Sequence, residues 1–158
     1  MICTFRLRSG MNDALSSPCY KLLVKHIRSC TWNVADYWQL KVTADSNHTA
    51  TLTFKILWLQ GIIQDVLDED TIVIRDESGV AKICKCRNAP GNHDWITKGI
   101  YCSIIGTLKK QLDVPEVEAL KLTKLDGSIH SRMWTEEVED LKLFLTNKAK
   151  PDMSVKNK

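Results

Sequence analysis

The longest apolar segment of the chain, Leu52–Val66 (LTFKILWLQGIIQDV), reads as a strand with two apolar faces. Leu57, Leu59 and Ile63 fall on one face, and Phe54, Ile56, Trp58 and Ile62 on the other. Gly61 inside it is a natural place for a bulge or a sharp bend. Asp68-Glu69-Asp70 then turns into a short strand, Thr71–Arg75, and Asp76–Gly79 forms a hairpin turn into Val80–Cys86. Arg87–Lys98, with Pro90-Gly91, is a connector with room for one helical turn. Alternation resumes in Gly99–Leu108, where Ile100, Cys102 and Ile104 oppose Tyr101, Ser103 and Ile105. A proline turn at Leu112–Glu116 leads into a last strand, Val117–Leu125.

After Asp126-Gly127 the period changes from two to that of a helix. Trp134, Val138, Leu141 and Leu145 recur at spacings of four, three and four, which predicts a helix over 131–145 with one apolar seam. Ser131 is the expected N-cap, and Glu136, Glu137, Glu139 and Asp140 lie toward the positive end of the helix dipole.

A glycine-bent first strand, a three-strand meander, a connector and a fifth strand predict a mainly β chain. The arrangement is that of the OB-fold, a five-stranded Greek-key barrel, here with an N-terminal extension and a C-terminal helix. Another five-stranded barrel or an open meander is the alternative. The expected organisation is a flexible arm (1–16), an extension packing on the barrel (17–50), the barrel with its helix (51–145) and a disordered basic tail (146–158). Within the extension, Tyr20–Ile27 and Tyr37–Val42 read as a hairpin, or the first as a helix, with a turn-rich break at Asp45–Thr49.

Charge changes the picture once it is divided. Residues 1–51 carry six basic and three acidic side chains, 52–145 twelve and fifteen, and 146–158 four and one, so the segments are +3, −3 and +3. The expected barrel is therefore acidic, whereas a domain that grips nucleic acid usually concentrates Lys and Arg on its binding face. The strands Thr71–Arg75 and Val80–Cys86 contain no aromatic residue on which a base could stack. No apolar run is long enough to span a bilayer and no secretory signal is expected, so the six cysteines read as reduced thiols of cytosol or nucleus.

Candidate chemistry is sparse. Cys84, Cys86, His93 and Cys102 lack the paired knuckles of a structural zinc site, and two thiols in a Cys-x-Cys strand are expected inside the barrel as small hydrophobes. His26, His48, His93 and His130 sit in unrelated contexts, with no nucleophile placed for a triad, and no Gly-rich phosphate loop is present. No catalytic residue, metal or cofactor is expected, and the chain is read as a non-enzyme. The positive signal is apolar. One row of the first strand must be covered from outside, either by the chain's own N-terminal segment or by a partner, and the helix seam favours a partner.

The order WLQG (58–61), IRDESG (74–79), KGIYCSIIG (98–106) and ALKLTKLDGSIHSRMWTEEVEDL (119–141), with SPCYKLL (17–23) and YWQL (37–40) upstream, resembles the family of RecQ-mediated genome instability protein 2. The resemblance covers roughly residues 17–145. It implies a nuclear OB-fold subunit that forms an obligate heterodimer with the C-terminal OB domain of RecQ-mediated genome instability protein 1. It also implies membership of the Bloom helicase–topoisomerase III alpha complex, which dissolves double Holliday junctions, with little direct DNA binding. By the same resemblance Lys121 contacts the partner, and Lys21 and Trp134 belong to a surface where a Fanconi anaemia translocase peptide docks. Trp58, Val138, Leu141 and Leu145 complete the expected partner-binding set. The competing expectation is a single-stranded nucleic-acid-binding module of replication-protein-A or telomere-capping small-subunit type.

Overall fold

The computed structural model describes residues 18–33, 35–43 and 48–148, the side chain of Lys148 excepted. The expected arm, most of the basic tail and the centre of the break at 45–49 lie outside the described residues. In chain order the elements are β1 (Cys19–Lys21), α1 (Val24–Ile27), β2 (Thr31–Trp32), β3 (Trp38–Thr43), β4 (Thr49–Phe54), β5 (Ile56–Asp68), β6 (Thr71–Asp76) and β7 (Gly79–Cys84). A 3₁₀ turn (Cys86–Asn88), β8 (Tyr101–Lys110), β9 (Glu116–Lys124) and α2 (Gly127–Lys148) follow.

The barrel is closed by β5-β6-β7-β9-β8 with a return pairing of β8 to β5, and only β7–β9 within that ring is parallel. This is the OB-fold expected from the strand pattern. β5 serves both neighbours, pairing with β8 over 56–62 and with β6 over 62–68. Gly61 lies at this handover, where a Cβ would stand 2.6 Å from the Arg75 carbonyl oxygen, so only glycine lets the strands come so close. The bulges fall further on, between Ile63 and Asp65 and between Val66 and Asp68. Leu57, Leu59 and Ile63 are fully buried in the barrel with Ile72, Ile74, Ala81, Ile83, Cys102, Ile104 and Val117.

Several boundaries differ from the sequence pattern. The strand expected over Leu52–Val66 is two strands broken at Lys55, and its first part belongs to a separate sheet, β2-β3-β4. Tyr37–Val42 thus finds its antiparallel partner in 49–54, not in 20–27. Tyr20–Ile27 is neither hairpin strand nor long helix: β1 runs parallel to β5, and α1 is a single turn. α2 starts at Gly127 because Asp126 Oδ1 accepts from the Ser128 N–H and hydroxyl. Ser131, the expected N-cap, instead donates its hydroxyl to the Gly127 carbonyl. β7 ends at Cys84 because Lys85 is left-handed (φ 57°), so Cys86 is buried past the bend while Cys84 stays half-buried beside the Val117 carbonyl.

The Asp76–Gly79 turn, acidic in sequence, is a cap. Asp76 Oδ1 accepts from the N–H groups of Ser78 and Gly79, and its Oδ2 accepts the Val24 N–H at 2.7 Å. Ser78 Oγ accepts the Lys25 N–H at 2.9 Å, so this hairpin satisfies the first donors of α1 and pins the N-terminal segment to the barrel. Asp76→Ala is expected to lower unfolding free energy by about 2 kcal/mol in a urea titration, as for lost caps with buried donors. Glu77→Ala, at the exposed corner of the same turn, is expected to leave it within ~0.5 kcal/mol.

Candidate protein-docking site

β1, paired along β5, carries Lys21 against the first half of α2. The β1–β5 register sets Lys21 beside Trp58, and α2 lays Trp134 across both. The two indoles are 5.7 Å apart at 50°, and Lys21 Nζ lies 4.9 Å from the Trp58 ring and 5.7 Å from that of Trp134. Glu137 Oε2 accepts from the same ammonium at 2.7 Å, and Trp58 Nε1 donates to Ser103 Oγ at 2.6 Å. Leu23, Trp134 and Val138 form a small buried cluster, with Trp58 packed against it. The cation, two ring faces and carboxylate together lock the helix to β1 and β5.

Four of the predicted residues, Lys21, Trp58, Trp134 and Val138, are therefore brought together. Lys121 is exposed on the outer face of β9, as its alternation with Leu120 and Leu122 predicts. It lines a groove of about 380 Å³ with Lys21, Trp58, Gln60, Ser103 and Glu137. Leu141 and Leu145 lie one and two turns farther along the helix, half-buried, and Leu145 packs on the main core. The seam thus faces the chain's own barrel, and the outer row of β5 is covered by the chain itself at Ile56 and Trp58, while Ile62 remains 46% exposed.

Pattern reading missed the other side of α2. Ile129, Met133, Leu143 and Phe144 are each about half exposed, between 46% and 51%. They recur at helical spacing, but Glu136 and Asp140 interrupt them, and the stronger seam draws the eye. A second groove, of about 550 Å³, runs along α2 between Trp134, Ser131 and Thr135 and the barrel residues Ile62, Gln64, Arg75, Lys98 and Tyr101. Trp134 Nε1 is buried there and meets no acceptor among the described residues. An unsatisfied buried donor costs about 1–3 kcal/mol.

Chemistry stays quiet around this surface. Burial pushes the Cys30, Cys86 and Cys102 thiols up to about 12, so they remain protonated. Among the described residues no group of three His, Cys, Asp or Glu is placed to hold a metal.

The chain matches the family of RecQ-mediated genome instability protein 2 over residues 18–142. It belongs to that family. The chicken (Gallus gallus) RecQ-mediated genome instability protein 2 is 26% identical over 134 residues, 83% of this chain and 96% of the relative. The mouse (Mus musculus) protein of the same name is 27% identical over 125 residues, 78% of this chain and 82% of its own. Solved structures share the fold. A chain of the S. pombe Stn1–Ten1 complex superposes with a TM-score of 0.60 at 11% identity, covering 82% of this chain and 95% of its own. A chain of a replication protein A heterotrimer bound to ssDNA gives 0.57 at 9% identity, covering 80% and 97%. The family name and the neighbours place the chain among OB-fold proteins of genome maintenance.

One titratable group couples the site to pH. His26 Nδ1 accepts the Leu23 N–H at 3.1 Å, and burial, then Lys25, lower its pKa below the ordinary 6.5. A histidine held neutral in the fold stabilises it fully above the unfolded value, and that contribution is lost as pH falls through the folded one. The melting temperature is expected to drop on acidification below pH 6.5, and the drop to shrink in His26→Asn, whose amide oxygen accepts without titrating.

Proposed function

We propose that this chain is a non-catalytic, nuclear OB-fold subunit that pairs with the C-terminal OB domain of RecQ-mediated genome instability protein 1. In that role it stabilises and docks the Bloom helicase–topoisomerase III alpha complex for dissolution of double Holliday junctions, with little DNA affinity of its own at physiological salt. The observation that carries the reading is the two-sidedness of α2. Its inner face is fixed to the barrel through Trp134 and Val138, while Ile129, Met133, Leu143 and Phe144 offer apolar area outward. A helix whose orientation is already fixed loses little entropy when a partner helix covers its outer stripe.

Within this reading the partner-binding residues divide their work. Trp134, Val138, Leu141 and Leu145 set the angle at which α2 is presented. Lys21, Trp58 and Lys121 line the groove beside it, where a partner chain lies along the helix. Trp134 lines the groove between α2 and the barrel, which supports a role for this residue in receiving a peptide such as that of the Fanconi anaemia translocase.

Met133→Glu with Leu143→Glu is expected to abolish co-purification with the partner while the thermal melt of the chain alone is unchanged, because carboxylates forced into an apolar interface cost several kcal/mol. A stoichiometric complex surviving both changes sinks the reading. Trp134→Phe keeps the ring and removes the unsatisfied donor. It is expected to leave the fold at least as stable in a urea titration, because the donor it removes is buried and meets no acceptor among the described residues.

A further inference from the structure

The aromatic side chains absent from β6 and β7 are gathered beside the end of β8. Trp38, on β3, is buried, and its Nε1 donates to the Leu108 carbonyl at 2.9 Å, which fixes the ring. Trp32, on β2, leans edge-on against it with centroids 5.0 Å apart and is 55% exposed, taking no part in the buried core. Lys55, at the break between β4 and β5, has its ammonium 4.5 Å from the centre of the Tyr37 ring. Trp32, Trp38, Lys55, Thr107 and Lys109, with Asp36, line a groove of about 460 Å³.

That groove runs into a line of cations through Lys109. Lys109 and Lys85 share Glu118 at 3.0 and 3.1 Å, and Lys82 and Lys110 share Glu116 at 3.5 and 3.9 Å. Five lysines, counting Lys55, thus stand against Asp36, Glu116, Glu118 and Asp68, the last of which Lys82 faces, a net +1. Burial alone would raise the Glu118 carboxyl, but the ammonium groups of Lys109 and Lys85 outweigh it and hold it below the usual carboxylate range. Lysines outnumber the carboxylates along this line by one.

Position adds to composition. In OB barrels the outer face of the second and third strands, with the loops joining the first two and the last two, is where oligonucleotides lie; the first of those loops is acidic here, Asp68-Glu69-Asp70, so only the second offers cations. Lys82 is on the third barrel strand, Lys85 directly follows it, and Lys109-Lys110 lead into that loop. We infer that this surface is a weak contact for single-stranded nucleic acid, with a base stacked on Trp32 and the sugar-phosphate backbone running along Lys109, Lys110, Lys85 and Lys82. The backbone must compete with Glu116 and Glu118 for the lysines, which makes the contact weak and strongly salt-dependent. A nucleic-acid strand offers a flat base at every residue, whereas an acidic peptide offers a ring to the exposed indole only where it carries an aromatic side chain, so the platform favours a nucleobase. The contact goes beyond partner docking and shares no lining residue with the Lys21–Trp58–Lys121 groove.

The test is fluorescence anisotropy of a short labelled oligothymidylate with the full chain, at about 25 mM and about 150 mM salt. Binding is expected at low salt and largely lost at the higher. Trp32→Ala is expected to weaken it roughly five- to tenfold, Trp32→Phe to retain most of it, and Lys109→Glu to weaken it at least as much as Trp32→Ala. Unchanged thermal melts and unchanged co-purification with the protein partner are expected for all three. No binding at low salt, or binding that neither Trp32→Ala nor Lys109→Glu alters, overturns the inference. So does loss of the protein partner in Trp32→Ala, which would make the groove a protein contact. Failure of the wild-type chain to pair with its partner would overturn the docking reading alone, since the anisotropy is measured on this chain by itself.

Discussion

A barrel strand buried on both faces needs two cores, and the first half of β5 is such a strand. Its inner row, Leu57, Leu59 and Ile63, belongs to the barrel whatever lies outside. Its outer row would expose Ile56 and Trp58 to water unless something covered them. The chain supplies β1 alongside and α2 above, and the cover is held by one compact set of interactions: Lys21 between two indoles and a carboxylate. Because Lys21 is only 17% exposed and Glu137 36%, this ion pair is partly withdrawn from solvent and is worth more than a surface pair. The orientation of α2, and with it the outward face that carries Ile129, Met133, Leu143 and Phe144, depends on that lock.

The lock in turn rests on the N-terminal segment. Leu23 contributes to the satellite core, and its backbone N–H is satisfied by His26 while Val24 and Lys25 donate to the β6–β7 turn. A three-residue strand and a single helical turn would not persist alone. They are held by hydrogen bonds to side chains of a hairpin more than fifty residues away, so the stability of the entry segment belongs to the barrel. Family membership over residues 18–142 takes in both ends of this arrangement.

The five barrel strands were legible because each alternates or runs apolar between clear turns, and the closed order follows from their spacing. What escaped the pattern has local causes. β4 merges with β5 in the pattern because Leu52, Phe54 and Ile56 continue one alternation across Lys55, and one lysine is too weak a signal to end a strand. The helix start was misplaced because Asp126 and Ser131 are both good caps, and only the folded chain shows which carboxylate or hydroxyl meets the free N–H groups. The seam residues were recognised as a seam, yet periodicity says only that they need cover. It cannot say that Trp58 and Leu23, far apart in sequence, provide it. Trp32 was invisible for the opposite reason: an exposed tryptophan in a two-residue strand leaves no period at all.

The separation of the two surfaces bears on how a nearly neutral affinity for nucleic acid could still matter. The groove proposed for docking and the Trp32 groove have no lining residue in common. A subunit held by its partner in an assembly that is itself on DNA meets the strand at an effective concentration of about a millimolar. At that concentration a contact with a dissociation constant of about a millimolar is half occupied, although the isolated chain would show almost no binding at physiological salt. The carboxylates among the lysines then have a physical sense. Without Glu116 and Glu118 the strip would bind any polyanion on its own. With them, on the proposed reading, it would contribute only after protein contacts had brought the strand within reach, so the protein interface would decide where the subunit goes and the cationic face would only bias how it lies there.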